Sequence, residues 1–346
     1  MKNVFKLWFI ALAVIIVCPA FAQSESDFNV DLTKDGTGVV ITGYIGKLAA
    51  ITIPAKIQGY PVKEIGNAAL AAWGDSIDVY TYSRGRQIFE RGKTINTDLT
   101  SVTIPAGVEI IGERAFFNQS KLTSVNIPAS VTSIGKIAFA GCSSLTTVNI
   151  PAKVTTIGDW AFLACSKLAT VNFSEGLVEI GDGAFAECRA LKTIKLPNSL
   201  TKLGYGAFLS YRDGITAVTF GTGLTEIPDY AFSYTDGYNG FKGTQIQSIV
   251  IPEGIVRIGE GAFLNCYALT SVTLPSTLKE IEPFAFRNCS ALTTVNIPAT
   301  LTSVDFKRQE SGGYIVGDGD TFIGCSRLLL ATRAALQKLG WDGKLE

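Results

Sequence analysis

Leu122-Thr-Ser-Val-Asn-Ile-Pro128 returns as Leu145-Thr-Thr-Val-Asn-Ile-Pro151, as Leu168-Ala-Thr-Val-Asn-Phe-Ser174 and as Leu191-Lys-Thr-Ile-Lys-Leu-Pro197, each copy starting 23 residues after the last. The pattern resumes at Leu269 and Leu292. A second marker, an Ala-Phe pair, places Phe116, Phe139, Phe162, Phe185, Phe208, Phe232, Phe263 and Phe286 at steps of 23, 23, 23, 23, 24, 31 and 23. Two unrelated markers with one period define a repeat array, whose units each pack only on their neighbours.

Each position of the unit has a mechanical reading. Val125-Asn126-Ile127 alternates apolar and polar residues, the two-residue period of a short strand with one face buried. Proline after the strand (Pro105, Pro128, Pro151, Pro197, Pro252, Pro275, Pro298) cannot donate to a ladder and so stops the strand at the same place in every coil. Glycines 112, 135, 158, 181, 204 and 259 are expected to supply a permissive backbone at the next corner. The Ala-Phe pair then fills the interior. These features predict a repeat solenoid with a parallel β-sheet of about ten or eleven 23-residue coils, with strands about 4.8 Å apart.

An open array must cover its ends. The alternating residues around Asp35-Gly-Thr-Gly38 read as a hairpin, so 23–50 is expected to be an N-terminal β cap. Thr332 to Gly340 carries a helix-start residue, apolar Ala335 and Leu339 four apart and a terminal glycine, which makes 331–346 a C-terminal helical cap. Between the caps lies the array, 51–330. Ahead of them, Lys2 and Lys6, the apolar stretch Leu7–Val17 and Ala20-Phe21-Ala22 read as a cleavable export signal over 1–22. Its apolar run is too short to span a bilayer, and no later stretch is longer, so no transmembrane segment is expected in the mature chain. Val17 before Cys18 and Pro19 after it argue against lipid attachment. The mature protein is expected in the periplasm, on the cell surface or released.

The unit I-P…I-G-x-x-A-F-x-x-C-x-x-L resembles the BspA-like leucine-rich repeat of bacterial secreted and surface proteins, over about residues 48 to 330. The resemblance implies the solenoid fold, and for some members attachment to host or matrix proteins. It carries over no functional residue.

Composition and columns narrow the chemistry. The chain has 30 Lys plus Arg and 30 Asp plus Glu, with no basic cluster to meet a phosphate backbone, so no nucleic-acid partner is expected. It has no histidine, the commonest general base and metal ligand. Cys142, Cys165, Cys188, Cys266, Cys289 and Cys325 stand three residues after the repeat Phe and read as buried thiols of a core column, without a base to activate them. Glu113, Asp159, Asp182, Asp229, Glu260 and Glu282 read as acids at the start of a short helical turn, one residue after the corner glycine or its substitute. Neither column is read as a metal site. No catalytic residue, metal or cofactor is expected, and the chain is read as a non-enzyme.

What remains are two candidate protein-binding sets. One is the breaks in the period, the irregular segments 71–98, 233–245 and 305–320, where residues 76–98 read equally as a decayed coil or a surface loop. There and at one smaller break lie Trp73, Tyr80, Tyr82, Arg84, Arg86, Tyr211, Tyr234, Tyr238, Phe241 and Tyr314, residue types that anchor interfaces. The other is the outward strand ladder Asn126, Asn149, Asn172, Lys195, Thr219, Thr273 and Asn296. Both lead to an exported protein-binding or adhesion module. The alternative is a structural or self-assembling envelope protein without a dedicated ligand.

Overall fold

The computed structural model describes residues 24–72, 98–210, 214–233, 244–304 and 321–340, and the backbone of 310–311 and 314–315. It is a parallel β-solenoid of about ten turns, each with three sides. The first side holds the strands of the quoted motif, from Ala50–Thr52, Ser101–Thr103 and Ser124–Asn126 to Ser271–Thr273 and Thr294–Val295. The second side holds shorter strands ending on the repeat's Ile, such as Ile110–Ile111, Ser133–Ile134 and Thr156–Ile157. The third side is a column of turns carrying Ala-Phe.

Register repeats without slippage. On the first side Asn149 pairs with Asn172, and on the second Ile157 pairs with Ile134 behind it and Ile180 ahead. The first-side strand Ala50–Thr52 pairs directly with Ser101–Thr103, and Tyr60–Ile65 pairs with Ile110–Ile111. The third side agrees, since the amide of Leu70 donates to the carbonyl of Ala115 at 2.8 Å. The coils before and after residues 73–97 are therefore immediate neighbours. Residues 76–97 themselves, read either as a coil or as a loop, lie outside the described residues.

The interior is a set of columns. Nine phenylalanines, from Phe116 to Phe322, stack with ring centroids 4.8–5.7 Å apart and planes within 4–12° of parallel. Such spacing lies in the favourable range for aromatic pairs, and it follows from the strand spacing, since each ring moves up by one coil. The six described cysteines are unbridged and buried. Each thiol donates to the carbonyl of the repeat Phe one coil back, as Cys142 to Phe116, Cys165 to Phe139 and Cys188 to Phe162, all at 3.2 Å. Gln119, in the same slot, serves the same end differently: its side-chain oxygen accepts from the amide of Leu99 at 3.0 Å and its nitrogen donates to the carbonyl of Leu70 at 2.5 Å. Burial pushes the thiols of Cys142, Cys165, Cys188 and Cys289 well above their ordinary range, so they are not nucleophiles at neutral pH. A thiol reagent is expected to label none of the six in the folded chain and all of them after unfolding; rapid labelling of the folded chain would contradict this packing.

The corner glycines do something other than expected. Glycines 112, 135 and 158 do not have positive φ. A Cβ built on Gly135 would instead meet the backbone of Gly112 and Glu113 at 2.6–2.8 Å, and one on Gly158 that of Gly135 and Lys136 at 2.6–3.0 Å. Their role is close approach between coils. The left-handed residues sit two positions further on, in a column of mostly larger side chains: Arg114, Ile137, Trp160, Tyr230 and Phe284, with φ of 53–59°. A non-glycine residue there costs roughly 1–2 kcal/mol. The turn column is held nonetheless because its amides are paired between coils, those of Arg114, Phe116 and Asn118 donating to the carbonyls of Lys136, Ala138 and Ala140 at 2.7–2.9 Å.

Three residues of the acid column, Asp159, Asp182 and Asp229, act between coils rather than within a helical turn. Oδ1 of Asp159 accepts from the amide of Asp182 at 3.0 Å, Oδ1 of Asp182 from that of Tyr205 at 2.9 Å, and Oδ1 of Asp229 from that of Glu260 at 2.9 Å. Each carboxylate thus satisfies an amide that the next turn leaves unpaired. Glu282 belongs elsewhere, because it occupies the glycine position itself, with Pro283 after it. Its carboxylate joins Glu226 and Asp229 around Arg257, at 3.3, 3.3 and 2.8 Å, an ion cluster that ties three successive coils.

At the N-terminal end Phe28–Leu32 and Val39–Tyr44 form the expected hairpin, and Val39–Tyr44 pairs in parallel with Tyr60–Ile65. Its turn is closed by Asp35, whose carboxylate accepts from the Thr33 hydroxyl at 2.6 Å and from the Thr37 amide and hydroxyl at 3.1 and 2.8 Å. Those bonds hold the Asp35 carboxyl down at about 2. At the other end the helix Leu330–Gln337 begins two residues before Thr332 and has no side-chain cap. Thr332 and Leu336 are its buried residues, Leu336 completely, whereas Ala335 and Leu339 are half-buried. The face packed on the last coil is one position away from the expected one.

Candidate functional site

The first-side sheet presents every residue of the expected ladder to solvent. In each three-residue strand the middle side chain points into the coil and the outer two point out, because successive residues alternate across a strand. Asn126, Asn149, Asn172, Lys195, Thr219, Thr273 and Asn296 are all exposed, one per coil, with the Val250 coil between Thr219 and Thr273. Parallel pairing keeps them in line within groups of two or three strands, with Thr103 opposite Asn126, Asn149 opposite Asn172, and Lys195 opposite Thr219.

Sequence reasoning named only one row of this face. A companion row lies two residues earlier in each strand, with Ser124, Thr147, Thr170, Thr193 and Thr294 exposed and Ser271 half-buried. The strand period that placed the asparagines outward places these outward as well. The face is thus two parallel rows of hydroxyls and amides, charged at Lys195 and broken by Val250, which is 66% exposed, and by Ala217.

The ladder residues differ in how far the sheet occupies them. Asn172 donates through Nδ2 to Oδ1 of Asn149 at 2.7 Å, leaving its own oxygen and the Asn149 amide hydrogens directed outward. Asn296 is engaged with the backbone of Leu274, accepting from its amide at 2.7 Å and donating to its carbonyl at 3.0 Å. It replaces the missing neighbour at the end of that strand pair and is the weakest binding candidate of the seven. A third row, Thr123, Thr270 and Thr293, turns its hydroxyls back onto the carbonyls of Thr100, Gln247 and Thr270, all at 2.7–2.9 Å.

The other expected set is not placed. Trp73, Tyr80, Tyr82, Arg84, Arg86, Tyr211, Tyr234, Tyr238 and Phe241 lie outside the described residues. Of Tyr314 only the backbone is described, in a two-residue strand paired antiparallel with Glu310–Ser311.

Chemically the ladder can donate and accept hydrogen bonds over a surface that runs along many coils. Among the described residues, no group of three or more His, Cys, Asp or Glu is gathered as metal ligands would be, and no helix is long and apolar enough to cross a membrane. The buried thiols are on the opposite side of the sheet from the ladder and cannot reach anything bound there.

The chain is 23% identical to a leucine-rich repeat protein of T. pallidum, covering 94% of this chain and 98% of that one at a TM-score of 0.41. It is 21% identical to the pneumococcal vaccine antigen PcpA, over 80% of this chain and 75% of that one at a TM-score of 0.51. To a leucine-rich repeat protein of Bacteroides ovatus it is 23% identical, over 80% and 89% of the two chains at a TM-score of 0.44. Of these, the likeness to the pneumococcal antigen, with a TM-score above 0.5, concerns the fold alone. Comparison with curated proteins gives no match. The BspA type leucine-rich repeat region matches in six copies across residues 93–212 and 235–308, more than half of the length, and with its period, strands and Phe column this chain belongs to that family.

Proposed function

We propose that this chain is an exported, non-catalytic module that binds a protein partner along its first-side ladder. The observation that carries the reading is the pair of rows of exposed, mostly uncharged hydrogen-bonding side chains, repeated on most coils of one side and paired in register two or three strands at a time. Such a surface has no single deep anchor. It gains affinity by repetition, each coil adding a small contribution to a preorganised array that loses little entropy on binding. The aromatic and Arg residues of the irregular segments would add anchors at its margins. Export rests on the signal-like residues 1–22, and the family resemblance supplies host-matrix proteins as the first partners to test.

The experiment is capture of surface-exposed and matrix proteins by the chain and by a variant carrying Asn149→Arg, Asn172→Arg and Thr219→Arg. The substitutions put bulk and positive charge in the middle of the ladder without touching the core. Capture by the parent that the variant loses supports the reading; equal capture by both removes the ladder from it. Concentration-dependent oligomers in sedimentation, with no captured partner, would favour the self-assembling envelope component instead.

A further inference from the structure

A groove of about 640 Å³ lies beside the N-terminal hairpin, away from the ladder, on the outer face of the second side. Sheet register builds its floor: Asp31 pairs with Val40, Val40 with Glu64, and Glu64 with Ile110, so the four residues form one row across four strands. The hairpin turn, from Leu32 to Thr37, rises as one wall. The ion pair of Lys63 and Glu109 flanks the row on the array side. The groove crosses three strand spacings of about 4.8 Å, which is room for about four residues of extended chain at about 3.3 Å each.

Its lining is apolar and acidic together. Ile110 is 40% exposed at one end of the floor, Val40 is half-buried between Asp31 and Glu64, and Leu32 is 59% exposed at the rim beside the turn. Four carboxylates, Asp31, Asp35, Glu64 and Glu109, face two lysines, Lys34 and Lys63. Asp35 is committed to its own turn and Glu109 to Lys63. Glu64, in the middle of the floor, is half-buried between Val40 and Ile110, and Asp31 stands at the end of the row. Burial raises the Glu64 carboxyl above its ordinary range, and Lys34 offsets this only in part. A partly desolvated carboxylate flanked by aliphatic side chains suits an ammonium or guanidinium on an aliphatic stem, because the stem covers the apolar flanks while the cation meets the acid.

We propose that this groove receives a lysine or arginine side chain presented on an extended segment of a partner protein. The contact is independent of the ladder. Charge complementarity selects the basic residue, and Val40 and Ile110, on either side of Glu64, select an apolar neighbour beside it.

The test is fluorescence anisotropy of the chain with a dye-labelled Ala-Lys-Leu-Lys-Ala peptide and with Ala-Glu-Leu-Glu-Ala. The lysine peptide is expected to bind and the glutamate peptide not, with Glu64→Gln and Asp31→Asn each weakening binding about fivefold, the upper end for a partly exposed pair. Binding of neither peptide, equal binding of both, or parental affinity in both variants would overturn the proposal. Should Glu64→Gln fail to fold, Asp31→Asn decides alone, since Asp31 is exposed on the hairpin and outside the core. None of these outcomes bears on capture of a partner by the ladder.

Discussion

Phe162→Ala is expected to destabilise the chain by about 3–5 kcal/mol, the usual cost of truncating a large aromatic residue in a core that cannot collapse around the void. Phe162 is fully buried and stacks on Phe139 and Phe185 at 5.1 Å on both faces. Neither neighbour can move to fill the gap. Each ring is held by its own coil, whose height is set by backbone bonds on all three sides, such as Phe162 amide to Ala184 carbonyl at 2.8 Å. The lesion also has a position. A solenoid's stability is a sum of unit and interface terms, so a defect at the middle interfaces weakens the coupling between the two halves of the array. Urea unfolding followed by circular dichroism should show the midpoint moving to lower denaturant and the transition broadening. A loss below about 1 kcal/mol would mean that the stack fills space without being closely packed.

Gly158→Ala is expected to be the second severe change, although it adds one methyl group. That methyl would stand 2.6 Å from the amide nitrogen of Lys136 and 2.8 Å from the carbonyl carbon of Gly135. Overpacking of this kind costs about 1–3 kcal/mol when side chains can give way. Here the obstacle is the backbone of the preceding coil, so relief requires the two coils to separate at that corner. The bonds at risk are those crossing the corner, among them Gly158 amide to the Ile134 carbonyl at 2.8 Å. The informative contrast is Gly36→Ala, where nothing lies within 4 Å and the only penalty is a φ of +67°. If close approach is the reason for the corner column, the melting temperature should fall much further for Gly158→Ala than for Gly36→Ala. Equal losses would return the column to a matter of backbone freedom.

The corner glycine shows where sequence reasoning reached its limit. A glycine once per period is visible in the sequence, but two causes, φ and contact, leave the same mark. Contact is a relation to a residue 23 positions away, and only the stacked structure reveals how close that residue comes. The acids behaved similarly: a carboxylate before Ala-Phe reads as a local cap, yet Asp159 and Asp182 serve the amides of the following coil. Cysteine was legible because a buried apolar slot needs no long-range information to be recognised, while its thiol's partner one coil back was not.

The ladder was half legible. Strand period places Asn126 and Asn149 outward, and the same period places Ser124 and Thr147 there. The groove at the hairpin was not legible at all, since Asp31, Val40, Glu64 and Ile110 are brought into one row by an antiparallel pairing followed by two parallel ones. The sequence by itself determined the period, the inward and outward positions of each strand and the columns of Phe, Cys and acid, because these depend on local alternation and on repetition. The tertiary structure decided which coil neighbours which, why most corners are glycine, where each buried polar group finds its partner and which charged side chains meet beside the hairpin. Those are set by distances between residues far apart in the chain, and no local pattern encodes them.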